Sequence, residues 1–152
     1  MHIQRMIEPL LLDKLQHDSR VVILYGPRQS GKTTLARSVL ASVGKRTLEL
    51  NGDDPRVCDL FATSNPARIL SALAGYEVVF LDEAQRIPEI GLALKRLHDS
   101  VPGFALFVTG SSSLELASKT KEALTGRTWT FQLFPIALAE LSIIESPFGL
   151  DE

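Results

Sequence analysis

The sequence predicts an α/β protein of three layers, a mostly parallel five-stranded sheet with helices on both faces. Three observations carry that expectation. Short apolar runs and segments with helical spacing alternate at least four times along the chain, the pattern of parallel strands joined by crossover helices. The apolar runs are continuous, as in strands covered on both sides. The chain has 152 residues, 45% of them hydrophobic and 22% charged, which suits one compact domain with a sizeable core.

Each element has a local reason. Met6, Leu10, Leu11 and Leu15 recur at helical spacing, so a first helix is expected over about 5–17. "RVVILYG" is a β-favouring run ended by Gly26, the first buried strand. "GKTTLARSVLASVG" places Leu35, Val39 and Val43 on one helix face, with Gly44 as its stop. "RTLEL", 46–50, is a second strand, and "NGDDPR" after it reads as a turn. Asn65-Pro66 opens a helix through Leu73, since proline suits a first helical turn. "EVVFL" is the third strand, and Pro88 precedes a helix over about 90–99. "FALFVTG" is the fourth strand, "SLELASKTKEAL" a helix, "RTWTFQL" the fifth strand and "PIALAEL" a short closing helix. The core is expected over about 20–142, with 143–152 as a connection to a further region.

Composition excludes several classes. A net charge of −2 does not favour a general nucleic-acid binder, which would usually carry a basic face, and leaves a local basic patch open. The single cysteine, Cys58, cannot form an internal disulfide, and no Cys/His cluster has zinc spacing. No stretch approaches the roughly 20 apolar residues of a membrane span, and the N-terminus lacks a signal pattern. A cytoplasmic, reducing setting is expected. His2, His17 and His98 lie apart and are assigned no ligand role; Trp129 at strand spacing reads as core.

Three segments carry chemistry. The first, "GPRQSGKTT", comprises Gly26, Pro27, Arg28, Gln29, Ser30, Gly31, Lys32, Thr33 and Thr34. It contains the pattern G-x-x-x-x-G-K-[ST] between a strand and a helix. A chance match in a chain of this length is roughly a 1-in-200 event from ordinary residue frequencies. Gly26 lets the strand turn. Gly31 lets backbone approach a phosphate, and the loop N–H groups form an anion nest at a helix N-terminus. Lys32 can reach the outer phosphates, the Thr33 hydroxyl can ligate Mg²⁺, and Thr34 can serve an inner phosphate.

The second segment, "VVFLDEAQ", runs an apolar strand into Asp82 and Glu83. Buried charge must be paired or bound to a metal. At the carboxyl end of the neighbouring strand, Asp82 would hold Mg²⁺ and Glu83 would polarise water for attack on a γ-phosphate. Taken alone, the two acids could equally cap a helix.

The third segment, "FVTGSSS", ends a strand at the same edge. Ser111 or Ser112 could bond the attacking water or the γ-phosphate; Ser113 and Glu115 suit a helix start. Arg127 in "LTGRTWTF" could stabilise charge that develops in phosphoryl transfer, or be a solvated or ion-paired arginine. Arg28 and Arg86 are weaker candidates of that kind.

Taken together, "LYGPRQSGKTTLA", "VVFLDEAQRIPEIGLALKRLHD", "FVTGSSSLEL" and "LTGRTWTFQLFPIALAEL" resemble the AAA-type ATPase domain of a widespread group of bacterial and archaeal P-loop ATPases. The resemblance spans roughly 20–142. It implies the P-loop NTPase fold with a catalytic strand between the phosphate-loop strand and its neighbour, and it implies ATP and Mg²⁺. The residues it points to are Lys32, Thr33, Asp82, Glu83, Ser111 and Arg127. Longer members of the group continue into a winged-helix-like segment and a C-terminal domain. The expected activity is Mg²⁺-dependent ATP hydrolysis. A nucleotide-gated switch with little turnover is the alternative, and a small-molecule kinase ranks lower because an Asp-Glu pair suits water as acceptor. "DEAQ" also resembles helicase signatures, but a helicase motor needs two such cores. Beyond ATP, a second copy of the chain or an unidentified protein is the partner left open.

Overall fold

The computed structural model describes residues 2–17, 21–27, 31–62, 65–100, 105–110 and 128–132. Helix α1 (His2–His17) is followed by strand β1 (Val21–Tyr25), α2 (Lys32–Val43), β2 (Thr47–Asn51), α3 (Pro55–Ala62), α4 (Pro66–Leu73), β3 (Val78–Asp82), a 3-10 turn (Ala84–Arg86), α5 (Ile90–Ser100), β4 (Ala105–Gly110) and β5 (Thr128–Gln132). The five strands form one sheet in the order β2-β3-β4-β1-β5. Every adjacent pair is parallel.

The strand order corrects one expectation. Asp82 does not sit on the strand next to β1. The strand in between is β4, which pairs Leu24 with Thr109 on one side and Leu81 with Val108 on the other. Asp82 and Glu83 therefore come from one place further out. Because all strands run the same way, the ends of β1, β4 and β3 still share one edge of the sheet.

Period-two alternation sends neighbouring residues to opposite faces, and two apolar layers result. One joins Val22, Leu24, Val78, Phe80 and Phe107 to Ile7, Leu11 and Leu15 of α1 and to Leu35, Val39 and Val43 of α2. The other joins Ile23, Val79, Leu81, Leu106 and Val108 to Val57 and Phe61 of α3, Ile69 and Leu73 of α4, and Leu94 and Leu97 of α5. Fully burying one such side chain contributes about 1.5–3 kcal/mol. The central strands β3 and β4 are buried throughout, which is why they read as unbroken apolar runs. Edge strand β2 is only partly covered.

Local details differ from expectation in two places, Leu10 and helix α3. α1 buries Ile7, Leu11 and Leu15, four residues apart, while Leu10 is 40% exposed. Leu10 lies more than a quarter-turn from the centre of that stripe, at its solvent edge. Residues 55–62, of which "NGDDPR" covers only the start, form a helix that the turn reading missed. Asp54 caps it: its Oδ1 accepts from Arg56 N at 2.9 Å, and Pro55 occupies the first helical position. The hydrogen bond from the Arg56 side chain holds the Asp54 carboxyl below the usual carboxylate range. Trp129 packs on the α1 side of the sheet, and its ring also lies 3.8 Å beneath Lys14 Nζ.

Gly44 ends α2 in the left-handed conformation, φ 73°, as its sequence position predicts. Helices expected over "SLELASKTKEAL" and "PIALAEL", and the connection at 143–152, lie outside the described residues.

Candidate nucleotide site

Among the described residues, three polar or charged side chains are buried: Lys32, Asp82 and Thr109. They come from α2, β3 and β4, and all three stand at the same edge of the sheet. No buried side-chain nitrogen or oxygen among the described residues lacks a partner. Burial of charge therefore occurs where hydrogen bonding offsets it.

β1 delivers the chain to this edge at Gly26, whose N–H donates to Gly110 O of β4 at 3.3 Å. Gly31 then takes φ 84°, ψ 16° and sets the start of α2. A left-handed residue there is natural for glycine and costly for a residue with a Cβ. Leu35 N donates to Gly31 O at 2.9 Å, the first turn of the helix. Lys32 leaves the first residue of α2 and turns back across the loop, donating from Nζ to Pro27 O at 2.8 Å. Thr33 faces the sheet, and its Oγ1 donates to Asp82 Oδ2 at 3.1 Å. Thr34 is exposed.

Asp82 ends β3 and is 7% exposed. Thr109 Oγ1 donates to its Oδ1 at 2.6 Å, and Glu83 N donates to the same oxygen at 2.9 Å. With Thr33 this makes three donors from three segments, so the carboxylate is held by hydrogen bonds rather than by one ion pair. The hydroxyl of Thr33 and the carboxylate of Asp82 offer two hard oxygens side by side, a donor set that suits Mg²⁺.

Glu83 adopts φ 52°, ψ 44°, a conformation a non-glycine residue takes only when its surroundings impose it. The surroundings are visible. Its N–H is tied to Asp82, and its carbonyl accepts from Arg86 N at 3.1 Å. Its Oε1 accepts from Gln85 Nε2 at 2.8 Å.

The loop after β2 is tied to the end of β3. Gly52 N donates to Asp82 O at 2.7 Å, and Arg86 Nε pairs with Asp53 Oδ1 at 3.3 Å. Cys58 lies under the same loop with Sγ 3.3 Å from Gly52 O. A Cβ on Gly52 would overlap the Glu83 carbonyl. Since that neighbour is backbone, it cannot swing aside. Gly52→Ala is expected to destabilise the protein by about 1–3 kcal/mol, the range for inserting a methyl group into a packed site. Thermal unfolding of the two proteins checks this; an unchanged midpoint would show that the loop shifts at no cost.

The structure thus brings together Gly26, Pro27, Gly31, Lys32, Thr33, Asp82 and Glu83. Arg28, Gln29, Ser30, Ser111 and Arg127 lie outside the described residues. Arg86 is engaged with Asp53. Thr109 is the site residue that sequence reasoning missed. The signal is a hydroxyl at the last inward position of an apolar strand, two residues before Ser111.

A parallel three-layer α/β fold with a glycine-lysine-threonine loop at the carboxyl ends of its strands defines a P-loop NTPase-type domain. A family model described as an AAA domain matches residues 18–142, and the chain belongs to that family. The chain is 35% identical over 142 residues to the uncharacterized protein Rv2008c of Mycobacterium tuberculosis, covering 93% of this chain and 31% of that protein. It is 27% identical over 125 residues to the uncharacterized protein MJ1544 of Methanocaldococcus jannaschii, covering 80% of this chain and 28% of that protein. The chain therefore spans about a third of the length of these relatives. In fold, it resembles a DNA replication initiation factor, with TM-score 0.63 and 12% identity over 97% of this chain and 50% of the other. It also resembles the R170A form of Thermotoga maritima RuvB, with TM-score 0.54 and 20% identity over 85% and 44%. No helix among the described residues is long and apolar enough to cross a membrane.

Proposed function

We propose that this domain binds ATP with Mg²⁺ and hydrolyses it to ADP and phosphate. The observation that carries the reading is the coincidence of the three buried polar side chains, Lys32, Asp82 and Thr109, at one sheet edge. Folding gains nothing from collecting charge at one rim unless that rim handles charge.

Each residue has a role that its contacts support. Lys32, at the mouth of the loop, neutralises outer phosphate oxygens. Thr33 and Asp82, joined at 3.1 Å, would hold Mg²⁺, which supplies charge withdrawal from the phosphate oxygens when bound. Thr109 keeps the Asp82 carboxylate in one orientation through its 2.6 Å bond. Glu83, one residue beyond Asp82, accepts a proton from the attacking water. Ser111 and Arg127 are proposed to complete the site, Arg127 from this chain or from a second copy. Residues 1–152 are proposed to act as one nucleotide-binding domain in the cytoplasm.

The test is titration with a non-hydrolysable ATP analogue, with and without Mg²⁺, followed by phosphate release with no added acceptor. The reading expects Mg²⁺-dependent binding and phosphate release to water. Binding without release, even with protein in excess over nucleotide, would favour the nucleotide-gated switch. Release only on adding a small acceptor would make the domain a kinase. No binding at all would overturn the proposal.

A further inference from the structure

We propose that Gln85 is a positioning residue for Glu83, its side-chain amide fixing the carboxylate that receives the proton of the attacking water. The inference rests on the hydrolytic reading above and names a residue that reading does not need.

Its basis is the 2.8 Å bond from Gln85 Nε2 to Glu83 Oε1, together with the way both ends of that bond are supported. A glutamate side chain has several rotatable bonds, and freezing it in a useful geometry needs a partner. At Glu83 the backbone is already fixed: φ is 52°, the N–H is bound to Asp82, and the carbonyl is bound to Arg86 N. What the backbone cannot fix is the far end of the side chain. Gln85 reaches that end from the next turn of the chain.

The platform under Gln85 is rigid. It sits in the 3-10 turn Ala84–Arg86, whose flanking side chains, Ala84 and Ile87, are 0% and 1% exposed in the apolar layer facing α3, α4 and α5. Ile87 N closes the turn on Ala84 O at 3.0 Å, and Arg86 is tied to Asp53 across the loop. A donor mounted on a core-anchored turn holds its acceptor more tightly than one on a free loop.

The chemistry also fits an amide. A lysine or arginine at this position would pair with the carboxylate and weaken it as a proton acceptor. A neutral amide donates one hydrogen bond without adding charge, and it uses only one of the about four lone-pair positions of the carboxylate.

The experiment uses Gln85→Met, which keeps the length of the side chain and removes the donor, beside Gln85→Ala. Both are expected to keep analogue affinity and the unfolding midpoint of the parent, and to lower kcat about tenfold, which is about 1.4 kcal/mol, with KM unchanged. In the Glu83→Gln background, either change is expected to lower turnover no further, because the group being positioned is already gone. A readout independent of turnover is the ¹H–¹⁵N spectrum of the Gln85 side-chain amide. Its protons are expected to be displaced from those of solvated amides in the parent and to return on Glu83→Ala. If that change leaves the amide resonances where they were, or if Gln85→Met turns over as fast as the parent while Glu83→Gln is slow, the positioning role is wrong and the hydrolytic reading stands. If Glu83→Gln itself turns over at the parental rate, the assignment of Glu83 fails, and the role of Gln85 falls with it.

Discussion

Lys32→Ala is expected to weaken binding of a non-hydrolysable ATP analogue by about 10²–10³-fold. Lys32 as a residue is only 7% exposed, and its ammonium is held at the loop by the 2.8 Å bond to Pro27 O. Hydrogen bonds to charged groups contribute about 1.5–3 kcal/mol each. Loss of two such bonds, at the low end of that range, corresponds to the stated change. Lys32→Met separates charge from bulk: it retains the buried stem and should show the same loss of affinity with an unfolding midpoint closer to the parent's. Calorimetric titration in the presence of Mg²⁺ measures the effect. Unchanged affinity in both variants would remove Lys32 from the site and with it the claim that the loop cradles phosphate.

The features legible in the sequence were those fixed by local chemistry. "VVILY", "VVFL" and "ALFVTG" are buried on both faces, so their apolar character is continuous and needs no knowledge of neighbours. Gly44 ends α2 in the left-handed conformation that its position as a helix stop predicts, and Gly31 takes the same conformation at the start of that helix. The strand order was not legible from the residues themselves, because the placement of β4 between β1 and β3 depends on how crossovers pack rather than on any local pattern; only the family resemblance implied a strand beside the phosphate-loop strand. Asp82 nonetheless meets Thr33 at 3.1 Å, since parallel strands bring their ends to one rim whatever their order.

Helix α3 shows a different kind of failure. Asn65-Pro66 predicts a helix start and is one; Asp54-Pro55 carries the same cap-and-proline signal, yet the surrounding glycine and aspartates point to a turn. Val57 and Phe61, four residues apart and both buried, were the deciding pattern. Gly52 likewise looked like a turn residue. Its φ is not among the positive values, and the reason a side chain is excluded there is the approach of the Glu83 carbonyl, a long-range contact that no window of sequence contains.

Glu83→Gln is expected to leave analogue affinity within about threefold of the parent and to reduce turnover by about 10²–10⁴-fold, the usual contribution of a positioned general base. The two halves of that expectation have separate physical sources. Binding rests on Lys32, the loop and Asp82, and the backbone bonds described at residue 83 survive the change: the bond to Asp82 Oδ1 comes from the backbone N–H, and the Arg86 N–H bonds to the backbone carbonyl. The new amide still offers Gln85 an oxygen, so the local geometry tied to the 2.8 Å contact is retained. Proton uptake is the function that disappears, because an amide oxygen is far too weak a base to accept the proton of the attacking water. Single-turnover hydrolysis with protein in excess reads the chemical step apart from product release. Turnover equal to the parent's would move the base to another residue. Loss of affinity together with turnover would instead place Glu83 in the binding of nucleotide.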